Sequence, residues 1–207
     1  MQLYKEILSE IYNLKKTKRS GWIITGRDLD ERETESVSDH SWGACILAML
    51  FLPDSKKEYL KMFKTKKCND NGYNKNKIIT MLVVHDMAEA YTGDVPFGYK
   101  TNQDKKKEKA RWCYYDSLAK HSPFKNLSTI KKLWDEYEEN KSINAKIAKD
   151  IDQIESFTQL IMYKEMFVNL KGLDYWNNIS EEWINSITIR TNVGKYLFNF
   201  LKKYLFG

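Results

Sequence analysis

His85 and Asp86 stand side by side in an otherwise apolar run, IITMLVVHDMAEAY, and Glu89 follows within one helical turn. An unpaired charge in such a setting is costly, so it is normally paired, protonated or bound to a metal. If the run is one helix, Glu89 lies near both His85 and Asp86 on its surface. Two other stretches repeat the pattern. His40 falls in the first turn of an apolar run that follows Ser36, and Asp150, Asp152 and Glu155 interrupt the stripe Ile147, Ile151, Ile154, Thr158 and Ile161. Neutral imidazole nitrogens with carboxylate oxygens suit divalent ions such as Mn, Fe, Co, Ni or Zn. Taken singly, these residues have plainer readings. A histidine near a helix start commonly caps or packs, and an aspartate on an amphipathic helix commonly faces solvent. The His85-Asp86 pair inside an apolar helix is the hardest to account for in that way.

The elements that must position these residues read as helices throughout. Residues 2–16 place Leu3, Ile7, Leu8, Ile11 and Leu14 at helical spacing. Thr17 to Glu35, polar and irregular with Gly21 and Gly26, reads as a long loop. Ser36-Val-Ser-Asp39 resembles a capping box that opens a helix, apolar nearly all round from Trp42 to Leu52. A second apolar helix is predicted from near Lys77 to Gly93. Further helices are predicted near 103–120, 127–140, 142–170, 180–188 and 191–205. Lys64 to Lys77 (KTKKCNDNGYNKNK) lacks apolar periodicity and reads as an exposed loop. Nothing alternates with period two over a useful length, so the fold class is all-α, a single compact helical domain with a C-terminal helical extension.

Composition narrows the field further. A chain of 207 residues with 42% hydrophobic and 30% charged residues can bury a real core, and 9 Gly with 3 Pro favour long helices over a turn-rich β fold. No stretch approaches the roughly 20 apolar residues of a membrane span. The N-terminus lacks the basic-then-apolar order of a secretory signal. Cys45, Cys68 and Cys113 are odd in number and far apart, which argues for a reducing, cytoplasmic setting without disulfides. The net charge of +6 raises nucleic-acid binding, but it is carried mainly by Lys, and scattered Lys marks a solvated surface better than a phosphate clamp. A small anionic substrate fits the charge equally well.

SVSDHSWGACILAM, VVHDMAEAYTGDVP and AKDIDQIES, in that order, resemble the HD superfamily of metal-dependent phosphohydrolases, and most closely its branch of 5′-deoxynucleotidases. The resemblance spans roughly residues 15–165, leaving 166–207 as a helical tail. It implies one divalent cation (Mn, Co, Zn, Fe, Ni or Mg) held by His40, His85, Asp86 and Asp152. Spacing alone leaves Asp150 in competition with Asp152. The family's last aspartate precedes a segment like Gln153-Ile-Glu155, and that favours Asp152. Glu89 matches the acid after the HD pair and Asp94 the acid of the TGD turn. Arg19 and Trp22, in KRSGW, match the family's Arg and Trp beside the nucleotide. Two departures stand out: the gap between His40 and His85 is longer than usual in the family, and Thr34-Glu35-Ser36 replaces a common Pro-Glu-Ser.

What the resemblance implies is hydrolysis of a phosphate monoester, a deoxyribonucleoside 5′-monophosphate above all. The metal would acidify a water and polarise a phosphoryl oxygen. Glu89 would handle protons, Asp94 would support the water or a sugar hydroxyl, Arg19 would pair with the phosphate and Trp22 would pack on sugar or base. The alternatives are an HD phosphohydrolase acting on another nucleotide or phosphorylated metabolite, and a non-catalytic nucleotide- or RNA-binding module. Di-iron oxygenases and dinuclear phosphodiesterases of the superfamily need additional histidines; this chain has 3, and His121 lies just before Pro123. Relatives in this branch are often homodimers. The aromatic tail (Tyr196, Phe198, Phe200, Tyr204, Phe206) offers an interface, or else closes the core, the reading we prefer.

Overall fold

The computed structural model describes residues 2–23, 34–63, 72–96, 98–119 and 124–206. Among them the helices are α1 (Gln2–Asn13), α2 (Val37–Phe51), α3 (Lys56–Phe63), α4 (Lys75–Val84), α5 (Glu89–Thr92), α6 (Asn102–Ala119), α7 (Leu127–Glu139), α8 (Ile143–Lys171), α9 (Leu173–Ser186) and α10 (Asn192–Phe206). A 3₁₀ turn spans Ser20–Trp22, and the one extended pairing among the described residues is an isolated antiparallel bridge between Lys18 and Ser36. The all-α class holds. No described helix is long and apolar enough to cross a membrane.

The chain divides into two compact units: Met1–Trp42 with Val83–Asp135, and Gly43–Leu82 with Glu136–Gly207. In the first unit the core gathers Val84, Met87, Ala88, Trp112, Tyr115, Ala119, Leu127 and Trp134. Trp112 meets Tyr115 edge-on and stacks on Trp134, with ring centroids 5.5 and 5.6 Å apart. Glu10 of α1 receives Nε of Arg111 at 2.6 Å, the Arg111 Nη2 and the Tyr115 hydroxyl, which fastens α1 to α6. Asn13 donates to the Ala90 carbonyl at 3.2 Å, so the end of α1 is also tied to α5.

In the second unit, α8 presents Ile147, Ile151, Ile154, Phe157 and Ile161, all buried, to the helices around it. Each such side chain contributes about 1.5–3 kcal/mol by leaving water. Ser142 caps α8 by accepting from the Ala145 N–H at 3.1 Å. The C-terminal segment adds to this core: Trp176, Val193 and Leu197 are buried, and Phe157 lies against Trp183 at 5.2 Å and Phe198 at 5.1 Å.

The sequence reading needs three corrections. The helix predicted to run unbroken from Lys77 to Gly93 stops at Val84, and residues 85–88 form turns before α5 begins. Met87, Glu89 and Ala90 donate to Val84, Asp86 and Met87, each three residues back, at 3.1, 2.9 and 3.3 Å. This is the tighter 3₁₀ winding, in which residues three apart eclipse, so the backbone brings Asp86 and Glu89 to one side. Helix α3 falls where no helix was expected, and α9 begins earlier than the 180–188 segment suggested. Of the Lys/Asn-rich stretch, 64–71 lie outside the described residues, and its end is already helical from Lys75. His121 also lies outside them.

Candidate active site

The start of α2 is set by reciprocal bonds. The Ser36 N–H and hydroxyl donate to Asp39 Oδ2 at 2.8 and 2.7 Å, and the Asp39 N–H donates to Ser36 Oγ at 3.2 Å. This capping box follows the sequence expectation, with Asp39 in the role usually taken by Glu or Gln. It fixes His40 on the first turn, fully buried at 0% exposure. Immediately upstream, Arg19 N–H donates to the Glu35 carbonyl at 3.1 Å and Val37 N–H to the Thr17 carbonyl at 2.8 Å, laying the Arg19 segment beside the entry to α2.

The tight winding after α4 delivers His85 and Asp86 to the same place. Asp86 Oδ2 lies 3.0 Å from His85 Nε2 and 4.0 Å from His40 Nε2, and the two imidazoles meet edge-on with centroids 5.5 Å apart. Arg19 Nη1 is 3.8 Å from the same Asp86 oxygen, and its Nε is 3.8 Å from Glu35 Oε1. Two buried imidazoles thus lie 3.0 and 4.0 Å from one carboxylate oxygen, and donors of these types suit a divalent cation of the Mn-to-Zn series.

Glu89, buried at the start of α5, senses the same charges. Its carboxyl is pushed well above the ordinary carboxylate range, first by burial, then by the charges of Asp86 and Asp94, with Lys100 and Arg19 pulling the other way. Lys100 Nζ stands 3.5 Å from Glu89 Oε1 and 2.6 Å from Glu108 Oε1. Asp94 is engaged locally: its Oδ2 accepts from the Ser20 N–H at 2.6 Å and from the Ser20 hydroxyl, which fixes the 3₁₀ turn that follows Arg19. Trp22, 4% exposed, donates its indole N–H to Glu35 Oε1 at 2.9 Å.

The first unit therefore gathers Arg19, Trp22, His40, His85, Asp86, Glu89 and Asp94. Asp152 belongs to the second unit, on α8, where the Tyr137 hydroxyl donates to its Oδ2 at 2.7 Å. Its neighbour Asp150 is fully occupied. It accepts from the N–H groups of Arg190 and Thr191 at 3.0 and 2.7 Å and from the Thr191 hydroxyl at 2.6 Å. Glu155, on the same helix, sits so close to Gly43 that a Cβ there would come within 2.5 Å of its Oε1, which accounts for glycine in SWGAC.

Glu35, Lys100 and Glu108 were not picked out as site residues from the sequence. Glu108 carried a usable signal: it is the one acid in KKKEKARW and stands four residues before the buried Trp112, on the inward face of α6. Lys100 carried none, since it sits in a polar connection with no periodicity.

The profile of the HD domain family matches residues 11–181. The chain belongs to the HD domain family. The match runs past residue 165 and so takes in part of the C-terminal helical segment. The chain is 32% identical over 164 residues to the 5′-deoxynucleotidase HDDC2 of Xenopus laevis, covering 78% of this chain and 69% of that one. It is 29% identical to the 5′-deoxynucleotidase hdd1 of Schizosaccharomyces pombe over 186 residues, 84% and 83% of the two chains. Among solved structures, a Pyrococcus horikoshii protein superposes with a TM-score of 0.62 at 26% identity, covering 96% of each chain. The HD phosphohydrolase DatZ of cyanophage S-2L, solved with dA and one catalytic Zn²⁺, shares the fold at a TM-score of 0.50, 16% identity and 95% coverage of each chain.

Proposed function

We propose that this HD-domain protein is a metal-dependent phosphomonoester hydrolase, a 5′-deoxynucleotidase that releases phosphate from deoxynucleoside 5′-monophosphates. The observation that carries the reading is the convergence of His40, His85 and Asp86 beside Arg19 and the buried Glu89. The names of the relatives give the substrate class, and the dA and zinc bound to the phage phosphohydrolase of like fold agree with it.

His40, His85 and Asp86 would hold the cation, with Asp152 as fourth ligand on the family's order of residues. A divalent ion bound there supplies Lewis acidity, polarising the phosphoryl group and acidifying a water. Arg19, a guanidinium already among carboxylates, would exchange part of that company for the substrate phosphate. Glu89, whose burial favours its protonated form, would give a proton to the 5′ oxygen as the P–O bond breaks and its electron pair stays on that oxygen. Water contributes hydroxide to phosphorus, and its remaining proton restores Glu89. Asp94, through Ser20, would keep the Arg19 turn in place. Trp22 would form the wall beside the sugar or base while its N–H steadies Glu35. On the family likeness we extend the reading to a cytoplasmic homodimer; light scattering on the purified protein tests the dimer.

The deciding experiment is phosphate release from a panel of nucleoside monophosphates by metal-stripped protein, with Mn, Co, Zn or Mg restored, beside Asp86→Ala. Release that needs metal and vanishes in the variant is the expected result. Tight nucleotide binding without release under any metal would replace the enzyme by a binding module.

A further inference from the structure

Lys100 is placed with unusual care for a lysine in a connecting segment. Gly98, at φ 85°, turns the chain ahead of it, and the Tyr99 N–H is tied to the Pro96 carbonyl at 3.0 Å. Behind it, Thr101 and Asp104 cap α6 reciprocally, Thr101 N–H to Asp104 Oδ2 at 3.0 Å and Asp104 N–H to Thr101 Oγ1 at 3.3 Å. Its ammonium then reaches two carboxylates with side chains only 5% and 6% exposed, those of Glu89 and Glu108. Glu108 comes from α6 on the face of Trp112, so the anchor is rigid. The closer contact, 2.6 Å, is to Glu108; the 3.5 Å approach to Glu89 is chiefly one of charge.

The Glu89 carboxyl is left asymmetric by this arrangement. Oε1 faces Lys100, while Oε2 is buried and has no hydrogen-bond partner among the described residues. A buried acceptor without a partner costs about 1–3 kcal/mol, so the arrangement needs a reason.

We propose that Lys100, anchored by Glu108, is a positioning residue that holds Glu89 by Oε1 and so presents Oε2 to the reactants. The proposal rests on the phosphohydrolase reading for what those reactants are. Had Lys100 only to neutralise Glu108, nothing would require its second carboxylate to be the acid beside Asp86. Burial works against the ammonium, yet Glu89 when ionised and the bond to Glu108 work for it and outweigh burial.

The test compares wild type, Lys100→Met, Lys100→Arg and Glu108→Gln in two assays. In steady-state phosphate release with the best metal and nucleotide, Lys100→Met should lower kcat by about 10–100-fold, the range for groups that orient a catalytic neighbour. KM should stay within about threefold, because the substrate contacts are untouched. Lys100→Arg should recover most of the loss, and Glu108→Gln should lower kcat about tenfold. In the metal-free protein, ¹³C NMR of the glutamate carboxyls, with the Glu89 signal identified by its absence in Glu89→Gln, should show that signal moved by Lys100→Met and near its wild-type position in Lys100→Arg. Unchanged kcat and an unmoved Glu89 signal in Lys100→Met would overturn the proposal. So would a loss of kcat that merely follows a fall in Tm and is not recovered by arginine. If Lys100→Met fails to fold, Glu108→Gln decides by the same two readouts. Absence of turnover in wild type would sink the phosphohydrolase reading alone, and the NMR arm would still decide whether Lys100 holds Glu89.

Discussion

Asp150 in the second unit and Asp86 in the first are both aspartates set in apolar helical sequence, and they are satisfied in different ways. Asp150, 0% exposed, receives two backbone N–H groups and one hydroxyl from Arg190 and Thr191, all within 3.0 Å. Burial raises its pKa, and the bonds from Thr191 and Arg190 oppose that rise. Its capacity is used by the chain itself, at the entrance to α10, where Thr191 Oγ1 in turn accepts from the Gly194 N–H at 3.0 Å. Asp86 instead faces two imidazoles and a guanidinium, all of them side chains suited to bind something else. The comparison teaches that burial of an acid does not identify a functional residue; what satisfies the acid does. Backbone donors mark a structural joint, and converging metal-ligating side chains mark a site.

The largest expected effect breaks the comparison at the first unit. Asp86→Ala should reduce metal-dependent phosphate release by about 10³-fold or more, since it removes Lewis-acid stabilisation worth several kcal/mol. Tm should shift little, because Asp86 supports no described helix cap. Asp150→Ala should do the reverse. Stranding the Arg190 and Thr191 donors should cost about 2–5 kcal/mol of unfolding free energy, measured by urea denaturation, with kcat per folded molecule retained. A variant at Asp150 that keeps its stability and loses turnover would invert the assignment.

Those two variants also mark how far the sequence could be read. The all-α class and the capping box at Ser36 were legible, because periodicity and local capping are short-range properties of the chain; the grouping of His40 with His85-Asp86 came from the resemblance to the HD superfamily. The break after Val84 was not, since four residues are too few to separate a period of 3.6 from one of 3. Helix α3 was missed because it is 8 residues long and buries little besides Tyr59. The donors that satisfy Asp150, Arg190 and Thr191, lie some forty positions away, and no local pattern carries that pairing. Nor does any local pattern show that Asp94 would be spent on Ser20, or that Lys100 would find two buried acids.

A smaller effect sharpens the structural half. A Cβ added at Gly194 would collide with Asp150 Oδ2 and lie 2.8 Å from its Cβ. Gly194→Ala should therefore destabilise by about 1–3 kcal/mol through overpacking against a side chain that cannot retreat without losing its donors. Thermal unfolding followed by circular dichroism measures this, and activity per folded molecule should not change. A neutral or stabilising result would mean that the Asp150 joint has slack, and the contrast with Asp86 would weaken.

The smallest effect bears on Asp152, which stands between the two cases. A side-chain hydroxyl, that of Tyr137, donates to it at 2.7 Å. A hydroxyl bonded in that way can orient a carboxylate that binds a metal. Tyr137→Phe keeps the ring that lies under Lys149 at 3.8 Å and removes only the hydroxyl. It should lower stability by about 0.5–1.5 kcal/mol and weaken cation binding by about tenfold, read by calorimetric titration of metal into stripped protein. Weaker cation binding with a small stability change places Asp152 with His40, His85 and Asp86. Unaltered cation affinity beside a clear loss of stability would put Asp152 in the same class as Asp150, and the fourth ligand would have to be sought elsewhere.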